Sequence, residues 1–216
     1  MAKVLNMSKS SWLATLVLGC TLAAGVGWMA AHQHYRAMQQ AQKQATAAVD
    51  IPFLQHMTVH HSQALTLSEA MGSKPDTRWS ALARQIEVSQ RLQMGMFKAW
   101  LQSWQAEPLP RQLNMDWMTP HATEDQLMFI NQCKASGTGM TGLASMDQIN
   151  HLLGAQGAEA DALFAQLMRA HHLSAIPMLE YAAQWAHTAE VRELAASMLA
   201  EQRQELTVLK PLNPQP

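Results

Sequence analysis

One segment of this chain occurs twice. Asp50-x-x-Phe53-x-x-x-Met57-x-x-His60-His61-x-x-Ala64 returns as Asp161-x-x-Phe164-x-x-x-Met168-x-x-His171-His172-x-x-Ala175, and Glu69 answers Glu180 in the same register. A weaker echo follows each copy after one inserted residue: Leu82-Ala83 with Leu194-Ala195, and Gln90-Arg91 with Gln202-Arg203. A repeated unit that cannot bury its apolar face alone must pack against its copy. The duplication therefore points to two matching halves.

The local pattern says what those halves are. Asp50-Ile51-Pro52-Phe53 reads as a helix start, with Asp50 as N-cap and proline tolerated in the first turn. Gly72-Ser73-Lys74-Pro75 ends this helix near Met71. From Asp76 to about Trp104, apolar residues recur at helical spacing until Glu107-Pro108-Leu109-Pro110. The spacing predicts a third long helix from Ala158 to about Trp185, with Pro177 kinking it, and a fourth from Ala189 to Leu209. Between the halves, residues 111–157 read as an irregular connection with short helices near Glu124–Cys133 and Ser145–Leu153. Strand-like alternation is missing, so the expected class is all-α: a four-helix bundle with internal duplication.

Ahead of the bundle, Lys3 and Lys9 precede the uncharged run from Trp12 to Ala31. Twenty such residues span a hydrocarbon core of roughly 30 Å as a helix. Basic residues on the N-terminal side place that end in the cytoplasm. The expected layout is a cytoplasmic tip and transmembrane signal-anchor over 1–31, a stalk over 32–49, the duplicated domain over 50–210 and a tail over 211–216. The body then faces the periplasm from a bacterial inner membrane, as a single-pass protein. The alternative is a signal that is cleaved, releasing the body into the periplasm.

Composition bears on chemistry through two residue types. The chain holds 16 Met and 10 His against 2 Tyr and 4 Phe. Thioethers are soft ligands and imidazole is the common nitrogen ligand at neutral pH. On a helix Met57, His60 and His61 stand at i, i+3 and i+4, which brings the thioether near either ring. Met168, His171 and His172 repeat that arrangement. Adjacent histidines diverge by about 100° on a helix, so one of each pair is expected inside and the other at a boundary. His56 stands four residues before His60, a chelating pair that the second copy lacks because Leu167 occupies the place. Met115-x-x-Met118-x-x-His121 is a further candidate group.

Burying four imidazoles costs energy unless they are hydrogen-bonded or ligated. A mixed thioether and imidazole set favours copper, above all Cu(I), or Ag(I). Zinc prefers thiolate, imidazole or carboxylate, without thioether, and Cys133 stands alone in the body. The formal net charge of -1, without a basic stripe, argues against nucleic acid as a partner. The expected partners are a metal ion and, through the leader, a membrane, with homo-oligomerisation left open. Motifs of metalloproteases, phosphate loops and nucleophile elbows are missing, so no enzyme activity is expected, and an oxidoreductase using the bound metal is the least favoured alternative. The competing reading is a membrane-tethered helical interaction or assembly domain whose histidines are polar core groups, without tight metal binding.

The repeated Asp-x-x-Phe and Met-x-x-His-His-x-x-Ala blocks, each followed by a helix bearing Gln90 or Gln202, resemble the domain-of-unknown-function 305 family. The resemblance spans about residues 50–209. It implies a ferritin-like four-helix bundle, often exported, with some members binding copper in copper tolerance. Its hallmark residues fall on Met57, His60, His61, Met168, His171 and His172, and later on Gln90, Trp100, Leu101, Gln202 and Glu205. Gln93 stands where the family commonly has Glu, Phe97 where it commonly has Met, and Leu143 replaces a second Met after Met140.

Overall fold

A computed structural model describes residues 9–74 and 77–209, with side chains from residue 21 onward. The chain divides into two compact units, Met1–Gln44 and Ala45–Pro216. Helix α1 covers Lys9–Ala48. No helix among the described residues is long and apolar enough to cross a membrane. The expected anchor is therefore not found there. The apolar stretch with described side chains, from Thr21 to Ala31, rises only about 16 Å as a helix, roughly half a hydrocarbon core. His32, His34 and Arg36 then follow. The rest of the expected span falls on residues whose side chains lie outside the described set.

The second unit is built from α2 (Asp50–Gly72), α3 (Ser80–Ser103), α4 (Glu124–Ala135), α5 (Met146–Gly154), α6 (Gly157–Trp185) and α7 (Ala189–Val208). Among the described residues there is no strand. Helices α2 and α3 pack as one hairpin, α6 and α7 as a second, and α2 lies on α6 where the two copies meet. The connection between the halves holds one element the sequence pattern missed, a short 3-10 helix at Asp116–His121. Helices α4 and α5 begin with reciprocal capping boxes, Thr123 with Gln126 and Ser145 with Gln148. Each side chain satisfies an amide at the other's position, so these starts are encoded locally.

Asp50 does a different job from the one its position suggests. The residue capping α2 is Val49, without a side-chain bond. The buried Asp50 carboxylate instead accepts from the backbone N–H of His187 (2.6 Å) and of Thr188 (2.9 Å), and from the Thr188 hydroxyl (2.7 Å). It thus ties the start of α7 to the start of α2. Its repeat partner Asp161 does the equivalent at Arg78, accepting its N–H at 3.2 Å ahead of α3. An Asp50→Ala variant removes the acceptor of three hydrogen bonds at the start of α7, so it should lose about 1–2 kcal/mol of unfolding free energy in urea titration. A loss below about 0.5 kcal/mol would contradict this role.

The bundle has two apolar centres rather than one. The first gathers Phe53, Leu54, Met57, Phe97, Leu101 and Met178 with neighbours from the connection. The second gathers Leu67, Met71, Ile86, Phe164, Leu167 and Met168. The repeat explains the division. Phe53 and Phe164 occupy the same place in each copy and are both fully buried, one in each centre. Between the centres lies the polar layer where the paired histidines meet.

Candidate metal centre

His60, His61, His171 and His172 are all completely buried. His60 and His171 face each other across the α2–α6 contact, their ring centroids 3.6 Å apart. Their bonds are reciprocal. His60 Nε2 donates to the His171 carbonyl at 3.1 Å, and His171 Nε2 donates to the His60 carbonyl at 2.9 Å. Two copies related by an approximate two-fold must repeat any contact made across the axis, and this pair does so.

The outer histidines turn the other way, each toward its own hairpin partner. His61 Nε2 is 2.7 Å from Gln93 Oε1 on α3, and His172 Nε2 is 2.5 Å from Glu205 Oε2 on α7. The 100° divergence of adjacent helix positions therefore sends one ring to the facing copy and one to the adjoining helix. Neither outer ring lies at a boundary, because α3 and α7 cover both.

These bonds fix the protons. A carbonyl or carboxylate oxygen only accepts, so Nε2 of His60, His171 and His172 carries the hydrogen. Gln93 is oriented by its own amide, whose Nε2 donates to Glu201 Oε2 at 2.7 Å. Its Oε1 is then the acceptor, and His61 Nε2 is also a donor. The neutral rings of His60, His61 and His171 are left with a bare Nδ1 lone pair. All four Nδ1 atoms are buried without a hydrogen-bond partner. Each such orphan costs about 1–3 kcal/mol relative to a satisfied one.

The electrostatics keep these lone pairs free. Burial, and then the nearby His171, hold the His60 ring well below the usual imidazole pKa. Burial lowers His61 to about 4, against the bond to Gln93. Burial and His172 lower His171 to about 3. At neutral pH these three rings are uncharged, the state in which imidazole binds a metal.

The thioethers flank the layer on opposite sides. Met57 is fully buried in the first apolar centre and Met168 in the second. The other candidates scatter. His56 is 2.6 Å from the Pro52 carbonyl through Nδ1 and lies against Trp117, with burial lowering its pKa. Met115 and Met118 are fully buried in the first centre. His121 is exposed and stacks on Trp185 at 4.1 Å, so the Met115, Met118 and His121 spacing does not put all three in one environment. Among the described residues, no three His, Cys, Asp or Glu side chains are gathered so as to hold a metal ion. A ready-made three-ligand chelate is thus not part of the fold there. The inner pair, spent on each other's carbonyls, and the outward turn of His61 and His172 account for that.

Sequence reasoning undervalued Gln93, Glu201 and Ser174. The register that pairs Gln90 with Gln202 also pairs Gln93 with Glu205, so the partners of His61 and His172 could have been found from the repeat. Glu201 could not. It receives the Ser89 hydroxyl and the Gln93 amide across the α3–α7 contact, which only the tertiary structure creates. It also explains why an amide stands at 93. Replacing Gln93 with Glu would set two carboxylates against each other, and should cost about 1–2 kcal/mol at pH 7. Adding Glu201→Gln should restore most of it in a double-mutant cycle by chemical denaturation. Additive effects would rule out the coupling.

The histidine layer has counterparts elsewhere in the copies. Glu69 pairs with Arg91 and Glu180 with Arg203 on the outside of the two hairpins. Exposed pairs like these stabilise little, yet they mark the two-fold plainly. Comparison with solved structures finds the same helical fold. A DUF305 protein from Streptomyces coelicolor superposes with a TM-score of 0.61 at 26% identity, over 73% of this chain and 87% of that one. A DUF305 fragment from Deinococcus radiodurans gives 0.56 at 29% identity, over 74% and 91%. CopM in its Cu(II)-bound form gives 0.54 at 24% identity, over 74% and 92%. No curated protein matches. The model of the family described as domain of unknown function (DUF305) matches residues 50–213, and this chain belongs to that family.

Proposed function

We propose that this protein binds a soft metal ion, copper as Cu(I) or its mimic Ag(I), in the histidine layer of its bundle, and so buffers copper. The observation that carries this reading is the set of four buried imidazoles whose Nε2 atoms are all committed as donors and whose Nδ1 atoms are buried without a hydrogen-bond partner. Metal-bound histidines characteristically donate their second nitrogen to a carbonyl or carboxylate, which orients the ring and raises its basicity. The stranded lone pairs are a cost that a bound ion removes. Cu(I) and Ag(I) accept low coordination numbers and favour imidazole and thioether. Two histidines with Met57 or Met168 therefore suit them without a three-residue chelate. CopM, which shares the fold, is known in a Cu(II)-bound form. The S. coelicolor relative is described as a candidate secreted protein. With the basic, apolar leader, this supports a helical bundle carried to the periplasmic side of the inner membrane.

The test is titration of the full-length chain with Ag(I), and with Cu(I) under anaerobic conditions, followed by thermal unfolding. Free metal at a hundredfold over Kd stabilises by about 2.7 kcal/mol, which in a chain of this size raises Tm by roughly 5–10 °C. An unchanged Tm and no retained metal would favour the interaction-domain reading instead.

A further inference from the structure

The four imidazoles have no exposed surface, so an ion that reaches them must pass through the wall of the bundle. A hollow of about 450 Å³ lies between α4, the loop before α5 and α6, and Ser174 is among the residues that line it. Ser174 is only half-buried. Its hydroxyl donates to the His171 carbonyl at 2.7 Å and lies 3.2 Å from His60 Nε2. One side chain thus lines the hollow and touches the inner histidine pair.

Three further features suit passage there. Leu173 and Pro177 line the same wall. Proline has no N–H, so the Leu173 carbonyl loses its helical partner and this turn of α6 is loosely tied. Gly142 has φ +75, and a Cβ there would collide with the Ser174 side chain and the Ala170 carbonyl. The loop therefore lies flat on α6 and the hollow reaches Ser174. Asp125 and Met128 also line the hollow from one face of α4. Both are exposed, offering a carboxylate and a thioether to solvent.

We propose that this hollow is the port through which a soft monovalent cation, Cu(I) or Ag(I), reaches His60 and His171. Asp125 and Met128 capture the ion, and Ser174 is the last group it passes. The proposal rests on the metal-binding reading above. A second hollow, of about 110 Å³, is lined by Leu82, Val208, Glu201 and Glu205 and leads to the Glu205 carboxylate that holds His172. It is the competing route.

The two routes separate kinetically. Stopped-flow Ag(I) uptake by the full-length chain, and release to a chelator, should both slow about tenfold in Leu173→Trp, with Kd within twofold of wild type. Met128→Leu, at an exposed position, should slow uptake several-fold without changing Kd. Val208→Trp, filling the smaller hollow, should leave both rates unchanged. If both Leu173→Trp and Met128→Leu keep wild-type rates while binding still requires His60 and His171, the port is wrong and the metal-binding reading stands. Slowing confined to Val208→Trp overturns the port in favour of the Glu205 side. Ag(I) binding that does not depend on the histidines overturns both.

Discussion

Replacing His60 and His171 together by leucine should weaken Ag(I) binding at least a hundredfold while the apo bundle stays folded. Leucine has a volume near that of histidine, so no large cavity opens, whereas alanine would cost about 2–5 kcal/mol at each buried site. The substitution removes two orphaned Nδ1 atoms that are buried without partners. It also removes the two reciprocal bonds to the His60 and His171 carbonyls. Those carbonyls still have the amides four residues on, because both lie inside helices. Loss and gain are each on the order of 1–3 kcal/mol per residue, so apo stability should move little. Equilibrium competition against a chromophoric Ag(I) chelator reads the affinity, and circular dichroism reads the fold. Binding within threefold of wild type would remove the inner pair from the site.

The second large effect is on acid stability. Burial holds His61 near 4 and His171 near 3, and His60 is also lowered well below 6.5. In the unfolded chain each returns to about 6.5. Between those values the unfolded state binds more protons than the native one, so unfolding free energy falls as pH falls. The contribution is fully present above pH 6.5 and drains away below it. At pH 4.5 each such histidine costs about 2–3 kcal/mol, so His61 and His171 together cost about 5 kcal/mol. That is a large share of the roughly 5–15 kcal/mol available to a folded protein. Urea midpoints should be flat from pH 8 to 7 and drop steeply between 6 and 4.5. The His60→Leu/His171→Leu variant should show a shallower fall. A wild-type midpoint constant down to pH 5 would contradict the buried neutral state of these rings.

Much of the architecture is legible in the amino-acid sequence. The helix spans from Asp50 to Val208 follow from apolar spacing and from stops such as Gly72 and Pro108, because helix periodicity is a local property. The repeat also makes α2 and α6 equivalent. Other features are not local. Asp50 reads as the cap of its own helix and instead anchors α7, because the amides it accepts from lie at His187 and Thr188. The membrane-spanning segment expected from Trp12 to Ala31 is not found among the described residues.

For the site, the sequence by itself determined which residues would be duplicated, and hence that two Met-x-x-His-His blocks would sit on matching helices. Only the tertiary structure decided their roles. It set His60 against His171 and turned His61 and His172 toward Gln93 and Glu205. It also separated Met57 from Met168 into two apolar centres. The physical reason is that a helix fixes the angle between neighbouring side chains but not what stands opposite them. Which nitrogen of each imidazole is spent on the protein, and which is left bare, depends on oxygens brought from distant parts of the chain.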